Sequence, residues 1–429
     1  MIDAARRAFQ LPDLRRKIIF TFALLAVYRL AASVPVPGVD AVRLRQLVES
    51  NQLLGLLSLF SGGSLETFSL AALGVYPYIT ASIVMQVLSP IIPALSELSK
   101  EGESGRTRMA QYTRLLTVPL AVLQAYAQAA LLAREGIIVN FGLFDRATFL
   151  PTVSLVLTLT AGTMFLVWLG ELITEKGIGN GVSIIIFGGI VARLPATVAQ
   201  SFVAGANWLG LASLAVLGLG IVLAIVYMNE GQRRIPVHYA RRVRGNRVYG
   251  GQSTYIPLRV NSAGMIPLIF AMSILLIPGT IATYFQGAGN TVVRDVANFI
   301  VGLFDSTGPV YWLLYFLLVV GFTYMYTAIV FQQQDLAGTL QKQGGFIQGI
   351  RAGRPTAEYL NRVLNRITLL GALFLGLVAV LPYLAGQATN IQVLTLSSTG
   401  ILIVVGVVLD TMKQLEAQLM MRHYEGFIK

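Results

Sequence analysis

Runs of apolar residues long enough to cross a bilayer recur from end to end of this chain, and the stretches between them hold most of its lysine and arginine. The pattern predicts ten membrane-spanning helices: Ile18–Val34, Val75–Leu95, Tyr112–Ala133, Phe149–Ile173, Val182–Val203, Leu209–Met228, Ala263–Phe285, Val310–Phe331, Ile367–Leu384 and Val393–Leu409. The fifth is the weakest, because Arg193 interrupts its Gly-rich stretch. Composition removes the soluble alternative. The 429 residues are 55% hydrophobic and 12% charged, whereas a soluble domain carries roughly twice that charged fraction. The fold class is an all-α integral membrane protein.

Lysine and arginine orient the spans, because cytoplasmic loops carry the excess. The N-tail has Arg6, Arg7, Arg15, Arg16 and Lys17, and the second loop has Lys100, Arg106, Arg108 and Arg114. The sixth and eighth loops are basic too, and the odd loops are poor in both residues. Both termini are therefore expected in the cytoplasm. The N-tail also has the look of a signal peptide, but Arg29 and nine further spans favour a retained first span.

Ten spans divide into five and five, residues 1–205 and 206–429, and an odd number per half inverts the second half relative to the first. Inverted repeats place a pathway between the halves. One trace is visible. The second span opens Gly74-Val75-Tyr76-Pro77-Tyr78-Ile79 and the seventh opens Gly264-Met265-Ile266-Pro267-Leu268-Ile269, both Gly-x-x-Pro-x-Ile, and each meets a later proline, Pro90 or Pro278. Glycine and proline free backbone groups that lipid cannot satisfy, so both spans are expected to be broken and to face each other or a cavity. Chance recurrence of two common residues is the plain alternative. Before the second span, Leu53–Phe60 is apolar but too short to cross, and Ser61-Gly62-Gly63 leads into a short amphipathic stretch, Ser64–Leu73. A re-entrant, plug-like helix and a surface-lying helix both fit these lengths.

Several chemistries are missing. Cysteine is absent, which removes disulfides, thiolate nucleophiles and thiolate-bound metals. His238 and His423 lie in cytoplasmic segments, and no aspartate occupies the middle of a span. No P-loop motif is present; the run Lys100–Arg106 resembles one only superficially. Neither enzymatic activity, a metal nor a cofactor is expected. A coupled transporter needs ionisable groups near the midplane. Here Arg29 and Arg193 lie outward of the centre, and Glu171 and Asp410 sit at span ends. That leaves a passive conduit, with an ion-independent small-solute transporter as the alternative.

The basic loops, about 229–262 and 332–366, supply much of the net charge of +12. The first contains seven arginines around Gly245-Asn246, a hairpin signal. Such a hairpin can grip phosphate or an acidic protein face; enforcing topology and touching anionic lipid is the other reading. In the second loop Arg351 and Arg354 sit on a Gly-rich tip, and Pro355-Thr356 starts a helix into the ninth span.

Long segments carry a resemblance: FSGGSLETFSLAALGVYPYITASIVMQVLSP, KEGESGRTRMAQYTR, GELITEKGIGNGVSIIIFGGIVA, RVYGGQSTYIPLRVNSAGMIP and GGFIQGIRAGRPTAEYLNRV. Together they resemble the SecY family, the channel subunits of the bacterial Sec protein translocase, over essentially the whole chain. The resemblance implies a central pore between two inverted halves, closed by a short plug helix at about 61–73 that includes Ser61, Gly62, Gly63, Ser64, Leu65, Phe68 and Leu73. It implies a pore ring of Val75, Ile79, Val182, Ile186, Ile269 and Ile403, with two valines where the family commonly has isoleucine. Apolar walls suit such a ring, because they bind no particular side chain and disfavour water and ions. The second and seventh spans match the family's lateral gate, with Gly74, Pro77, Ser82 and Met85 facing Gly264, Pro267, Ser273 and Ile274. Arg234, Arg247 and Arg351 match basic docking positions, although Asn246 stands where some relatives have arginine. SecE and SecG are the implied membrane partners. The SecA ATPase or the ribosome would push an unfolded preprotein, led by its signal sequence, across the bacterial inner membrane.

Overall fold

The computed structural model describes residues 11–50, 54–55, 57–58, 61–138, 141–142, 145–203, 208–239, 242–244, 247–249, 253–287, 289–305, 308–334, 336–389 and 393–425. Helices dominate them. In chain order these are α1 (Pro12–Ser33), α2 (Ala41–Ser50), α3 (Tyr76–Leu88), α4 (Pro93–Lys100), α5 (Glu103–Arg134), α6 (Arg146–Lys176), α7 (Gly181–Val203) and α8 (Trp208–Glu230). After strands β1 (Gln232–Tyr239), β2 (Arg242–Arg244), β3 (Arg247–Tyr249) and β4 (Ser253–Arg259) come α9 (Ile266–Phe285), α10 (Thr291–Leu303), α11 (Pro309–Gln334) and α12 (Leu336–Lys342). Strand β5 (Gly345–Phe346) precedes α13 (Arg354–Thr389) and α14 (Val393–Glu425). Proline opens α1, α3 and α4, where its fixed φ suits a first helical turn.

Among the described residues five helices are long and apolar enough to cross a membrane, six if the bent pair α3–α4 counts as one span. The protein is a multi-pass, mostly helical membrane protein. Each of the ten expected spans overlaps a helix, and α13 begins at Arg354, where Pro355-Thr356 places the start. The second span bends by 102° between α3 and α4. The cause is local. Ile92, which precedes Pro93, is held extended at φ −94 and ψ 115, because proline disfavours the helical region for its neighbour. The seventh span corrects the expectation of two broken spans: α9 runs on through Pro278. A lone proline is absorbed there, whereas Pro90 and Pro93 act within one turn of each other.

The chain divides into two compact units, Met1–Gly218 with Met272–Leu314 and Pro382–Lys429, and Leu219–Ala271 with Tyr315–Leu381. In the first, α5 packs on α3 and on α6, and α7 packs on α6 and α14. In the second, a three-stranded sheet runs β4-β1-β5, with β1 and β4 antiparallel from Gln232↔Arg259 to His238↔Ser253. Ile235, Val237, Leu258, Leu340, Ile347, Leu360 and Val363 form the core of this sheet region.

Candidate functional site

The segment from Ser61 to Val75 is a succession of turns, not the expected short helix. Its backbone bonds mostly close over three residues, among them Ser64 N to Ser61 O (3.2 Å), Phe68 N to Leu65 O (3.1 Å) and Gly74 N to Ala71 O (2.8 Å). Regular α-helix is interrupted by left-handed residues, Gly62 and Gly63 at φ 63 and 83 and Phe68 at φ 41. A bulky residue held at positive φ stores strain of about 1–3 kcal/mol, which surrounding bonds must offset. They do. Phe68 O accepts from Val36 N at 2.9 Å, and Leu70 N donates to Val34 O at 3.0 Å. Leu65, Phe68 and Leu73 are buried in one core with Leu44 and Val48 of α2, Ala125 and Leu132 of α5, and Leu159 of α6.

Two spans, α1 and α7, converge on the start of this segment. Tyr28 Oη of α1 donates to Ser61 O, and Arg29 donates to Gly62 O, both at 3.3 Å. Gly189 of α7 lies so close that a Cβ built on it would stand 2.7 Å from Gly62 Cα. Arg193 of α7 forms an ion pair with Glu66 and donates to Ser58 Oγ at 2.9 Å. The two charged side chains are 30% and 19% exposed, so water screens the pair only partly. The two intramembrane arginines that sequence reading weighed against a transporter thus hold the turns in place. Glu66 was missed; its signal was a lone carboxylate in a Ser/Gly/Leu stretch.

The paired Gly-x-x-Pro openings share backbone geometry. Gly74 and Gly264 have φ 59 and 64, and each helix begins two residues later with proline in its first turn. Between the second and seventh spans, Tyr76 Oη donates to Ser273 O at 3.0 Å. Tyr76 and Ser273 are 7% and 0% exposed, so this bond is sheltered from water. The third span also reaches the seventh: Arg134 at the end of α5 donates to Tyr284 O of α9. Pro77 and Met85 are buried, and Ser82 and Ile274 half-buried. The tie runs from Tyr76, six residues before the expected Ser82.

Of the expected ring residues in the first unit, Val75, Ile79, Ile186 and Ile403 are 1–4% exposed and Val182 is half-buried. Helices α7 and α14, which carry Ile186 and Ile403, pack together. Ile269, also buried, belongs to the second unit, as do Gly264 and Pro267.

The second unit presents the basic residues. Arg234 is exposed on β1, and its guanidinium lies 4.8 Å from the Tyr255 ring centre on the neighbouring strand. Strands β2 and β3 pair from Arg242↔Tyr249 to Arg244↔Arg247, so the expected hairpin is present; its turn, Gly245-Asn246, lies outside the described residues. Arg351 is exposed, and its carbonyl accepts from Thr356 Oγ1 at 2.8 Å. The sequence treated the sixth and eighth loops separately. The structure joins them, because β5 pairs with β1 at His238↔Phe346 and Tyr239↔Gly345. Among the described residues no cluster of three or more His, Cys, Asp or Glu could hold a metal.

Comparison with known proteins gives one answer. A sequence model of the SecY family matches residues 69–412. Protein translocase subunits SecY of Streptomyces galbus and Mycobacterium bovis are 46% and 44% identical to the chain, with both partners covered completely. Solved structures share the fold. A structure described as a protein-conducting channel aligns with a TM-score of 0.61 at 18% identity, covering 94% of this chain and 91% of that one. A SecY structure concerned with the plug domain and the membrane seal aligns at 0.64, with the same identity and coverage. A small-solute transporter finds no support in these relatives. Matched along most of its length by the family model and along all of it by these relatives, the chain belongs to the SecY family.

Proposed function

We propose that this chain is the protein-conducting channel of a Sec translocase. It passes unfolded polypeptides across the bacterial inner membrane and releases apolar segments into lipid. One observation carries the reading: an irregular segment, Ser61–Leu73, is buried in the first unit and tied to α1 and α7 by side-chain bonds, immediately before the ring candidates Val75 and Ile79. A plug must be seated this way, held by bonds that can be exchanged for water. The pore ring is assigned to Val75, Ile79, Val182, Ile186, Ile269 and Ile403, between the halves 1–205 and 206–429. The Tyr76–Ser273 bond supports a lateral gate between the second and seventh spans.

The exposed arginines at 234 and 351, with Arg247, are assigned to docking. The SecA ATPase and the ribosome are the proposed partners there, in line with a structural neighbour described as Sec61 in a canine ribosome–channel complex. SecE and SecG complete the assembly within a membrane containing anionic lipid, and both termini are cytoplasmic. Reconstitution with SecE, SecA and ATP tests the whole reading, because a secretory precursor should become protected from external protease. Absence of protection under conditions where a known translocase works would reject it. Single cysteines at Gln348 and Asn290 should label from opposite sides of the membrane.

A further inference from the structure

Helix α10, Thr291–Leu303, lies between two apolar helices, and neither the plug, the gate nor the docking surface uses it. Asn290 caps it, its Oδ1 accepting from Val292 N at 3.0 Å, so the helix starts at a defined point. At about 100° per residue its side chains fall into three sectors of roughly 120° each. Ala297, 3% exposed, marks the sector turned to the protein, flanked by the half-buried Ile300 and Val301. Arg294, Asp295 and Asn298 are exposed and mark a polar sector, where Asn298 also accepts from Gln286 Nε2 at 3.1 Å. The third sector is apolar: Val292, Val296 and Phe299, spaced i, i+4 and i+7, are 69%, 53% and 70% exposed, and Leu303 continues the stripe.

A helix with docked, polar and exposed apolar thirds is built for a boundary between water and lipid, not for either phase alone. Chain continuity names the lipid. Residues 286–290 join α10 to α9, a span candidate, and residues 304–308 join it to the helix beginning at Pro309, another. Five residues reach about 17 Å at most, so both ends of α10 are tethered close to the bilayer surface. The adjoining ends of those spans are exposed and apolar as well, with Phe285 50% and Val310 44% exposed. Arg294 and Asp295 cancel in charge, so the attraction is to the acyl boundary and not to anionic headgroups.

We propose that α10 is an in-plane helix whose Val292–Val296–Phe299 stripe is seated in the headgroup–acyl boundary of the leaflet opposite the basic loops. Nitroxide scanning tests this directly, since the chain has no cysteine. Val296→Cys, Phe299→Cys, Arg294→Cys and Asn298→Cys would each be labelled in the assembled channel with cysteine-free partner subunits. The samples are reconstituted once in phosphatidylcholine and once with added phosphatidylglycerol. Oxygen, which concentrates among acyl chains, should relax labels at 296 and 299 several-fold more than a water-soluble nickel chelate does. Labels at 294 and 298 should show the reverse order, and lipid charge should change neither. If 296 and 299 meet the chelate as readily as 294, the stripe faces water and the proposal fails. Shielding of 296 and 299 from both reagents would mean that a protein covers the stripe, which also overturns it. Val292→Cys reports the same stripe if Phe299→Cys fails to assemble.

Discussion

Residues 61–75 and the three-stranded sheet are both non-helical parts of a helical protein, and different bonds hold them. The sheet is held by a backbone ladder, seven residue pairs between β1 and β4, over its own apolar core. Its exposed arginines add little to that scaffold, Arg234 through its packing on Tyr255 being the main exception. The turns at 61–75 have few ladder bonds, only the short bridge around Ser69, and depend on Tyr28, Arg29, Arg193 and core packing. A ladder unzips as a unit, whereas side-chain ties can be exchanged individually for water. The difference fits the proposed tasks: one region must keep its shape while a partner presses on it, and the other must let go.

The largest effect is expected where the turns depend on charge. Arg193→Glu sets two carboxylates against each other beside Ser58, and hydrogen bonds to charged groups contribute about 1.5–3 kcal/mol. That corresponds to roughly a ten- to hundred-fold shift toward the unplugged state. The expected result is a resting ion leak and export of precursors with weakened signal sequences. Adding Glu66→Arg should restore the seal. A tight channel in the single variant, or no rescue in the double, would remove the ion pair from the gating account.

A smaller shift is expected at the proposed gate. Tyr76→Phe keeps the ring buried but removes the bond to Ser273 O, which is worth about 0.5–1.5 kcal/mol. Signal-sequence crosslinking to lipid should rise about two- to ten-fold, with no ion leak, because the ties of the proposed plug are untouched. An engineered disulfide between the second and seventh spans, tried at Ser82 or Met85 with Ser273 or Ile274, should instead block export until reduced. If Tyr76→Phe leaks as Arg193→Glu does, gate and plug are one element and the comparison of separate ties collapses.

Much of this was legible in the sequence, for a physical reason. Apolar run length reports burial in lipid directly, and Gly74 and Gly264 advertise positive φ because few other residues adopt it cheaply. Pro90 announced the break in the second span; Pro278 gave the same signal without the outcome, since a break also depends on the neighbours, here Ile92 and Pro93. The pairing of Glu66 with Arg193 was hidden because the two lie 127 positions apart. The joining of the two basic loops through β5 was hidden too, because a two-residue strand has no periodicity to read.

The smallest effect on stability, and the sharpest contrast with Arg193, is expected at Arg351. Its side chain is exposed, and the contact to Thr356 runs through its backbone carbonyl, which a substitution retains. Surface changes of this kind stay within about 0.5 kcal/mol, so Arg351→Glu should leave insertion and thermal unfolding unchanged. Docking is another matter, because reversing a charge at a rim changes association rates and their salt dependence. SecA-driven transport should fall severalfold at low salt, and the deficit should narrow as salt screens the reversed charge. Arg234→Ala provides the internal control. It removes a charge from the neighbouring sheet and also the packing on Tyr255, a cation–π contact worth about 0.5–1 kcal/mol at an exposed site. A modest loss of stability is therefore expected for Arg234→Ala and none for Arg351→Glu, with docking weakened in both. Were Arg351→Glu to unfold the protein while transport by the surviving fraction stayed normal, the arginine would be part of the scaffold, and the division between a rigid platform and its charged decoration would be wrong.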